Sequence, residues 1–263
     1  MNVSIYEQFI ENAKARLRED GRFVALLAGG SMKEGTMDRF SDLDLVLAYD
    51  VRYRDAVMAD RIGIAESLGS LLSGFTGEHV GEPRLIICLY GPPALHVDLK
   101  FVTLSELESR VENPLVLWEK ESAVTQIFER TAPAWPELDI HWIEDRFWVW
   151  VHYGATKLGR GELYELIDCV SFMRRSVLGP MIATLHRRPI NGVRKLEMLE
   201  GPEIEQLERT VPVHDVRSCY DALQTTINLY KNLRARFSEA KPNLAAEAVS
   251  TAYLEEVYSA YRE

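Results

Sequence analysis

Gly29-Gly30-Ser31, followed after a helix-length gap by Ser41-Asp42-Leu43-Asp44-Leu45, decides the reading of this chain. Side chains in a strand alternate between faces with period two, so Asp42 and Asp44 point one way while Leu43 and Leu45 point into a core. Two carboxylates on one surface repel each other unless a cation sits between them, and a divalent metal is the simplest such cation. The preceding run, Arg22-Phe23-Val24-Ala25-Leu26-Leu27-Ala28, is apolar and of strand length. It ends at glycines where the backbone can turn tightly and open a helix, whose free N–H groups favour phosphate. A phosphate cradle beside a carboxylate pair suits a nucleoside triphosphate with its magnesium.

The order of these residues resembles the DNA polymerase beta-like nucleotidyltransferase superfamily, particularly its small-molecule branch of aminoglycoside and lincosamide nucleotidyltransferases. Gly30-Ser31 and Asp42-x-Asp44 carry the resemblance, which covers roughly the first hundred residues. It implies a third carboxylate on a later strand, and Asp98 fits. In Leu95-His96-Val97-Asp98-Leu99-Lys100-Phe101-Val102 the alternation sets His96, Asp98 and Lys100 on one face and Val97, Leu99 and Phe101 on the other. Many members read Gly-Ser-x-Ala-x-Gly where this chain reads Gly30-Ser31-Met32-Lys33-Glu34-Gly35. Lys33 stands where that pattern has alanine, and this departure, with the charged Glu34 beside it, bears on the phosphate contacts of the loop and not on the metal ligands.

Composition agrees with a two-part enzyme. The chain has 263 residues, of which 47% are hydrophobic, enough for a core in each half. Its formal charge of −10 opposes a role on long nucleic acid and favours small, possibly cationic, partners. Cys88, Cys169 and Cys219 are odd in number and lack metal-ligand spacing, which suits a reducing compartment without disulfides. With no secretory hydrophobic region and no apolar run long enough to span a bilayer, the expected location is the cytoplasm and no membrane partner is expected.

Along the chain, Ser4 and Glu7 make a capping-box pattern that predicts a helix to about residue 19, before a strand ending at Ala28. Strands are predicted over 42–48, 83–90 and 95–102, a helix over 55–72, and a turn at Gly91-Pro92-Pro93. Thr103 and Glu106 predict another capped helix. Thr131-Ala132-Pro133-Ala134-Trp135-Pro136 reads as a linker. Beyond it the period is helical, over 137–158, 162–187, 193–199, 203–210, 215–240 and 244–261. The expected fold class is α+β. A nucleotidyltransferase-type catalytic domain over 1–130, with a mixed sheet and flanking helices, precedes an all-helical bundle domain over 137–263 that would clamp nucleotide or substrate.

The helical half carries a second constellation. Trp150, Tyr153, Lys157 and Arg160 fall at spacings of three, four and three, on one helix face that Gly159 and Gly161 bring to an end. From Arg146 to Lys195 there are nine Lys or Arg against three Asp or Glu, inside an acidic protein. Such a cluster would neutralise the β- and γ-phosphates of a triphosphate, which makes Lys157 and Arg160 candidate phosphate ligands beside Gly30 and Ser31. The bland alternative is that both cations complement the helix dipole while the aromatics pack. Arg174, Arg175, Arg187 and Arg188 are weaker candidates for the same role. Glu162, Glu165 and Asp168 are rival general bases to Asp98, and a solvated helix face explains them equally well.

What the resemblance and the residues imply together is magnesium-dependent transfer of a nucleoside monophosphate, AMP from ATP in the simplest case, to a hydroxyl of a small molecule, with pyrophosphate leaving. Asp42, Asp44 and Asp98 would be both the catalytic residues and the ligands of a two-metal site, with the nucleoside triphosphate as co-substrate. The acidic surface suits an aminoglycoside-like acceptor, as in antibiotic-resistance enzymes. Two other readings stand beside this one: a nucleotidyltransferase acting on RNA or protein, and a catalytically silent nucleotide-binding regulator.

Overall fold

Buried side chains at Tyr6, Phe9, Ile10, Ala13 and Leu17 recur at helical spacing along one face of the first helix, α1 (Ser4–Glu19), and fix how it lies on the sheet. The computed structural model describes residues 4–261, and its contacts divide the chain into two units, Met1–Trp135 and Pro136–Glu263.

In the first unit, β1 (Phe23–Ala28) runs into the short α2 (Gly30–Glu34), and β2 (Leu43–Tyr49) follows. Two short helices, α3 (Arg54–Ala59) and α4 (Arg61–Leu68), lead to β3 (Leu71–Gly77), β4 (Glu82–Tyr90) and β5 (Leu95–Thr103). The small α5 (Leu104–Leu107), β6 (Leu115–Glu119) and α6 (Ala123–Arg130) complete the unit. The sheet order is β3-β4-β5-β2-β1-β6, with β2 and β5 parallel and every other pair antiparallel.

The alternation read from the sequence holds. Leu43, Leu45, Leu47, Val97, Leu99 and Phe101 are fully or almost fully buried against α1 and α4. The opposite face is covered at one end only, where Ala25, Leu27, Ala48 and Val102 pack on α5 and α6. Asp44 and Asp98, on that same face, stay outside this second cluster.

The helix expected over 55–72 is corrected: it breaks at Asp60, stops at Leu68, and residues 71–77 pair with β4 as an edge strand. Gly69 and Gly74, both poor helix formers, fall where the apolar period changes. β6 and α6 lie in a stretch for which no elements were predicted; there Glu119 caps α6 by accepting from the backbone N–H of Val124 at 2.9 Å and of Thr125 at 3.0 Å. Thr103 and Glu106 form the expected capping box.

The second unit is all helix and loop. α7 (Ile140–Gly159) is capped by Asp139 and buries Ile143, Phe147, Trp148, Val151 and Leu158 along one side. α8 (Leu163–Met173) continues through a π-helical turn (Arg174–Leu178) into α9 (Gly179–Leu185). The helix expected over 162–187 is thus present over 163–185 with a π-helical turn inside it: Pro180 has no N–H to donate, and the register slips just before it. α10 (Pro202–Glu208), α11 (Val216–Arg234) and α12 (Leu244–Ser259) close the bundle. Around Leu196–Met198 only a single 3-10 turn forms. Among the described residues no helix is long and apolar enough to cross a membrane.

Candidate active site

The turn after β1 is built around Asp44. Gly29 is extended and donates its N–H to the Asp44 carbonyl at 2.8 Å, which carries the β1–β2 pairing to the strand ends. Gly30 sits at φ +53, in the left-handed region, and a Cβ placed there would lie 2.0 Å from Asp44 Oδ2. Only glycine fits both demands, and the Asp44 carboxylate therefore rests against the Gly30 backbone. The Ser31 hydroxyl is buried and has no hydrogen-bond partner. A buried hydroxyl without a partner is costly, and such atoms mark places where a ligand or water completes the site.

The loop between α2 and β2 is pinned. Tyr6 donates its hydroxyl to the Ser41 carbonyl at 2.9 Å, Ser41 Oγ accepts from the Asp38 N–H at 2.9 Å, and Asp38 Oδ1 accepts from the Phe40 N–H at 2.8 Å. Asp42 follows immediately, one residue before β2 begins. Lys33 and Glu34 are engaged away from the carboxylates: Lys33 pairs with Glu112 at 2.5 Å, and Glu34 accepts from the Thr36 hydroxyl at 3.4 Å.

Asp44 and Asp98 are direct partners across the parallel β2–β5 pair. Residues so paired lie about 4.8 Å apart at the backbone, and both carboxylates leave the same face. Burial raises the Asp98 carboxyl above the usual aspartate range; His96 opposes the shift, and the charge of Asp42 adds to it. His96 Nε2 lies 3.1 Å from Asp98 Oδ1. Asp42, Asp44 and Asp98 are all half-buried.

Among the described residues no three His, Cys, Asp or Glu side chains converge into a ready-made metal cage. The donor set nonetheless suits a hard divalent cation. Its atoms are aspartate oxygens from adjacent strands, and the partnerless Ser31 hydroxyl lies on the turn beside them, as expected where water and phosphate oxygens complete the shell.

The remaining candidates lie in the other unit. Lys157, near the end of α7, pairs with Glu162 Oε2 at 2.5 Å and lies 5.1 Å from the Tyr153 ring centre. Tyr153 donates its hydroxyl to Glu165 at 2.7 Å. Two of the three rival bases, Glu162 and Glu165, are therefore occupied by neighbours on the same face. Arg160 is 65% exposed with Glu162 only at 3.9 Å, so it is largely uncommitted. Trp150 packs against Trp142 and Phe172, and Trp148 is core. Arg174 is half-buried and donates to the Thr210 carbonyl at 2.8 Å, a structural role. Sequence reasoning missed Tyr6 and Glu112, which steady the site loop from a distance; neither has a local signal.

No protein-family model and no curated protein sequence matches the chain. Solved structures similar to it include the following two. An aminoglycoside 6-adenyltransferase from Bacillus subtilis is 19% identical, with 95% of this chain and 97% of that one covered and a TM-score of 0.44. A nucleotidyltransferase-like protein from Exiguobacterium sibiricum is 13% identical, with 87% of this chain and 76% of that one covered and a TM-score of 0.43.

Proposed function

We propose that the first unit transfers a nucleoside monophosphate from a nucleoside triphosphate to the hydroxyl of a small molecule. The observation that carries this reading is the in-register pair Asp44–Asp98 on the open sheet face, beside a glycine turn whose Ser31 hydroxyl has no partner. A carboxylate pair and an unfilled donor beside a helix start are the two halves of a triphosphate site.

In this reading Gly30 and Ser31 hold phosphate oxygens by backbone N–H and hydroxyl. Magnesium held by Asp42, Asp44 and Asp98 would neutralise charge on the triphosphate and acidify the acceptor hydroxyl. Asp98 is the proposed acceptor of the hydroxyl proton, because it stands beside Asp44 on the paired strands, whereas Glu162 and Glu165 are engaged with Lys157 and Tyr153. The acceptor oxygen forms its bond to the α-phosphorus as the bond from that phosphorus to the bridging oxygen breaks, and pyrophosphate leaves. Lys157 and Arg160 are proposed to meet the β- and γ-phosphates, with ATP as the simplest donor and the cytoplasm as the place of action.

The test is thermal shift with each of ATP, GTP, CTP and UTP plus magnesium, then pyrophosphate release against hydroxylated small molecules. Asp42→Asn and Asp44→Asn should each lower turnover by about 100-fold or more while the protein stays folded. Full turnover by both variants would overturn the reading.

A further inference from the structure

The row of cross-strand partners through the carboxylates does not stop at Asp98. Asp44 pairs with Asp98, Asp98 with Ile87 on β4, and Ile87 with Phe75 on the edge strand β3. The next row sets Ser73 beside Leu89 and Leu89 beside His96. Because facing partners share a side of the sheet, Phe75, Ile87 and Leu89 stand on the same face as the two aspartates. Phe75 is 51% exposed and Leu89 43%, with Ile87 half-buried between them.

The phosphate-side features, Gly30 and Ser31, lie against β2, on one side of Asp98; the apolar row lies on the other, beginning one strand spacing, about 4.8 Å, away. The charge pattern identifies what fits there. Ser73, Phe75, Leu85, Ile87 and Leu89 carry no charge, and the cation of the adjoining row, Lys100, is neutralised by Glu82 at 2.8 Å. Apart from the site aspartates, the acid beside this floor is Glu82, and it is already paired with Lys100 and with Arg84 at 2.7 Å, which leaves little to hold a polycation. A large apolar surface beside a few convergent polar groups is the usual make-up of a small-molecule site.

We propose that the acceptor is a hydroxyl compound whose apolar ring lies on Phe75, Ile87 and Leu89, presenting its hydroxyl toward Asp98. This rests on the transferase reading above and replaces a purely polycationic acceptor with a neutral, ring-bearing one.

The experiment uses the full chain with magnesium and each triphosphate. Pyrophosphate release is compared for phenyl β-glucoside and 2-phenylethanol against 2-deoxystreptamine, and binding of phenyl β-glucoside is followed separately by saturation-transfer NMR. Release should be seen with the ring compounds, with KM raised about tenfold in Phe75→Ser and in Leu89→Ser and restored in Phe75→Tyr, as expected for lost apolar and aromatic contact. Turnover of 2-deoxystreptamine alone, indifferent to Phe75, would overturn the inference and leave the transferase standing. Phe75-dependent binding of the glucoside with no turnover of any triphosphate would uphold the apolar site and sink the transferase. If neither ring compound binds, or if sedimentation shows a dimer that Phe75→Ser dissociates, this face serves something else and the inference falls.

Discussion

Ser31 and Gly30 separate structural from functional demands at a single turn. The Ser31 hydroxyl is buried and bonds to no other protein group, so it contributes little to the stability of the fold. Ser31→Ala should therefore change the unfolding free energy by no more than about 1 kcal/mol, yet weaken triphosphate binding. Thermal unfolding and calorimetry with magnesium-ATP would check both, and a variant that loses stability with unchanged affinity would assign Ser31 to the scaffold. Gly30→Ala should behave differently. Its φ of +53 and the 2.0 Å approach of Asp44 Oδ2 force both a strained backbone and a displaced carboxylate. A cost of about 1–2 kcal/mol together with loss of turnover is expected, measured by denaturant titration and pyrophosphate release. The geometry of this turn was legible because its signals are local: glycines where a Cβ cannot fit, and Asp44 in an alternating strand, although Asp42 falls just before that strand begins. The supports were not legible. Nothing near Tyr6 or Glu112 in the sequence says that these residues hold a loop dozens of positions away.

Elements were readable where a clean period, or at Thr103 a cap, marked them. The first helix, the strands through Ala28, Asp44 and Asp98, and the capping box at Thr103 need only neighbouring residues to declare themselves. β3 did not, because Gly74 and an irregular register leave it without clean alternation, and its pairing with β4 is a tertiary fact. The end of α7 is the element whose role is most open to test. Lys157 is held by Glu162 and Tyr153, while Arg160 is mostly free. If this helix end meets the triphosphate, replacing both cations by Gln should weaken ATP binding by about 1–3 kcal/mol and leave AMP binding nearly unchanged, since the β- and γ-phosphates carry the added charge. Calorimetry with both nucleotides decides it. Equal weakening for ATP and AMP, or none, returns the pair to helix-end charge. Removing Glu162 instead, as Glu162→Gln, should tighten ATP binding by freeing Lys157.

At the scale of the whole molecule, the change from alternating to helical period marked the α+β class, but what knits the helical unit together lay outside any local pattern. Glu144, only 5% exposed, accepts from Trp148 Nε1 at 2.9 Å, from Arg234 Nη1 at 3.0 Å, from the Asn243 N–H at 2.8 Å and from the Tyr230 hydroxyl. One carboxylate thus ties α7 to α11 and to the start of α12, and Arg234 passes the tie on to Glu247 at 2.8 Å. Burial alone would raise the Glu144 carboxyl, but these hydrogen bonds outweigh it and hold the group below the usual glutamate range. A carboxyl lowered on folding adds stability that is fully present above its unfolded value, about 4.3, and is lost as pH falls through the lower folded value. The helical unit should therefore lose stability below about pH 4. Glu144→Gln should cost about 1–3 kcal/mol at neutral pH, because it weakens the charged hydrogen bonds from Arg234 and Tyr230 while Arg234 keeps Glu247 as its ion-pair partner, and should flatten the acid limb. Trp148 donates directly to Glu144, so tryptophan emission followed through urea titrations at pH 7 and pH 3 reports on this network. An acid limb as steep in the variant as in the parent would mean that other carboxylates set the pH dependence, and that Glu144 holds the bundle by shape rather than by charge.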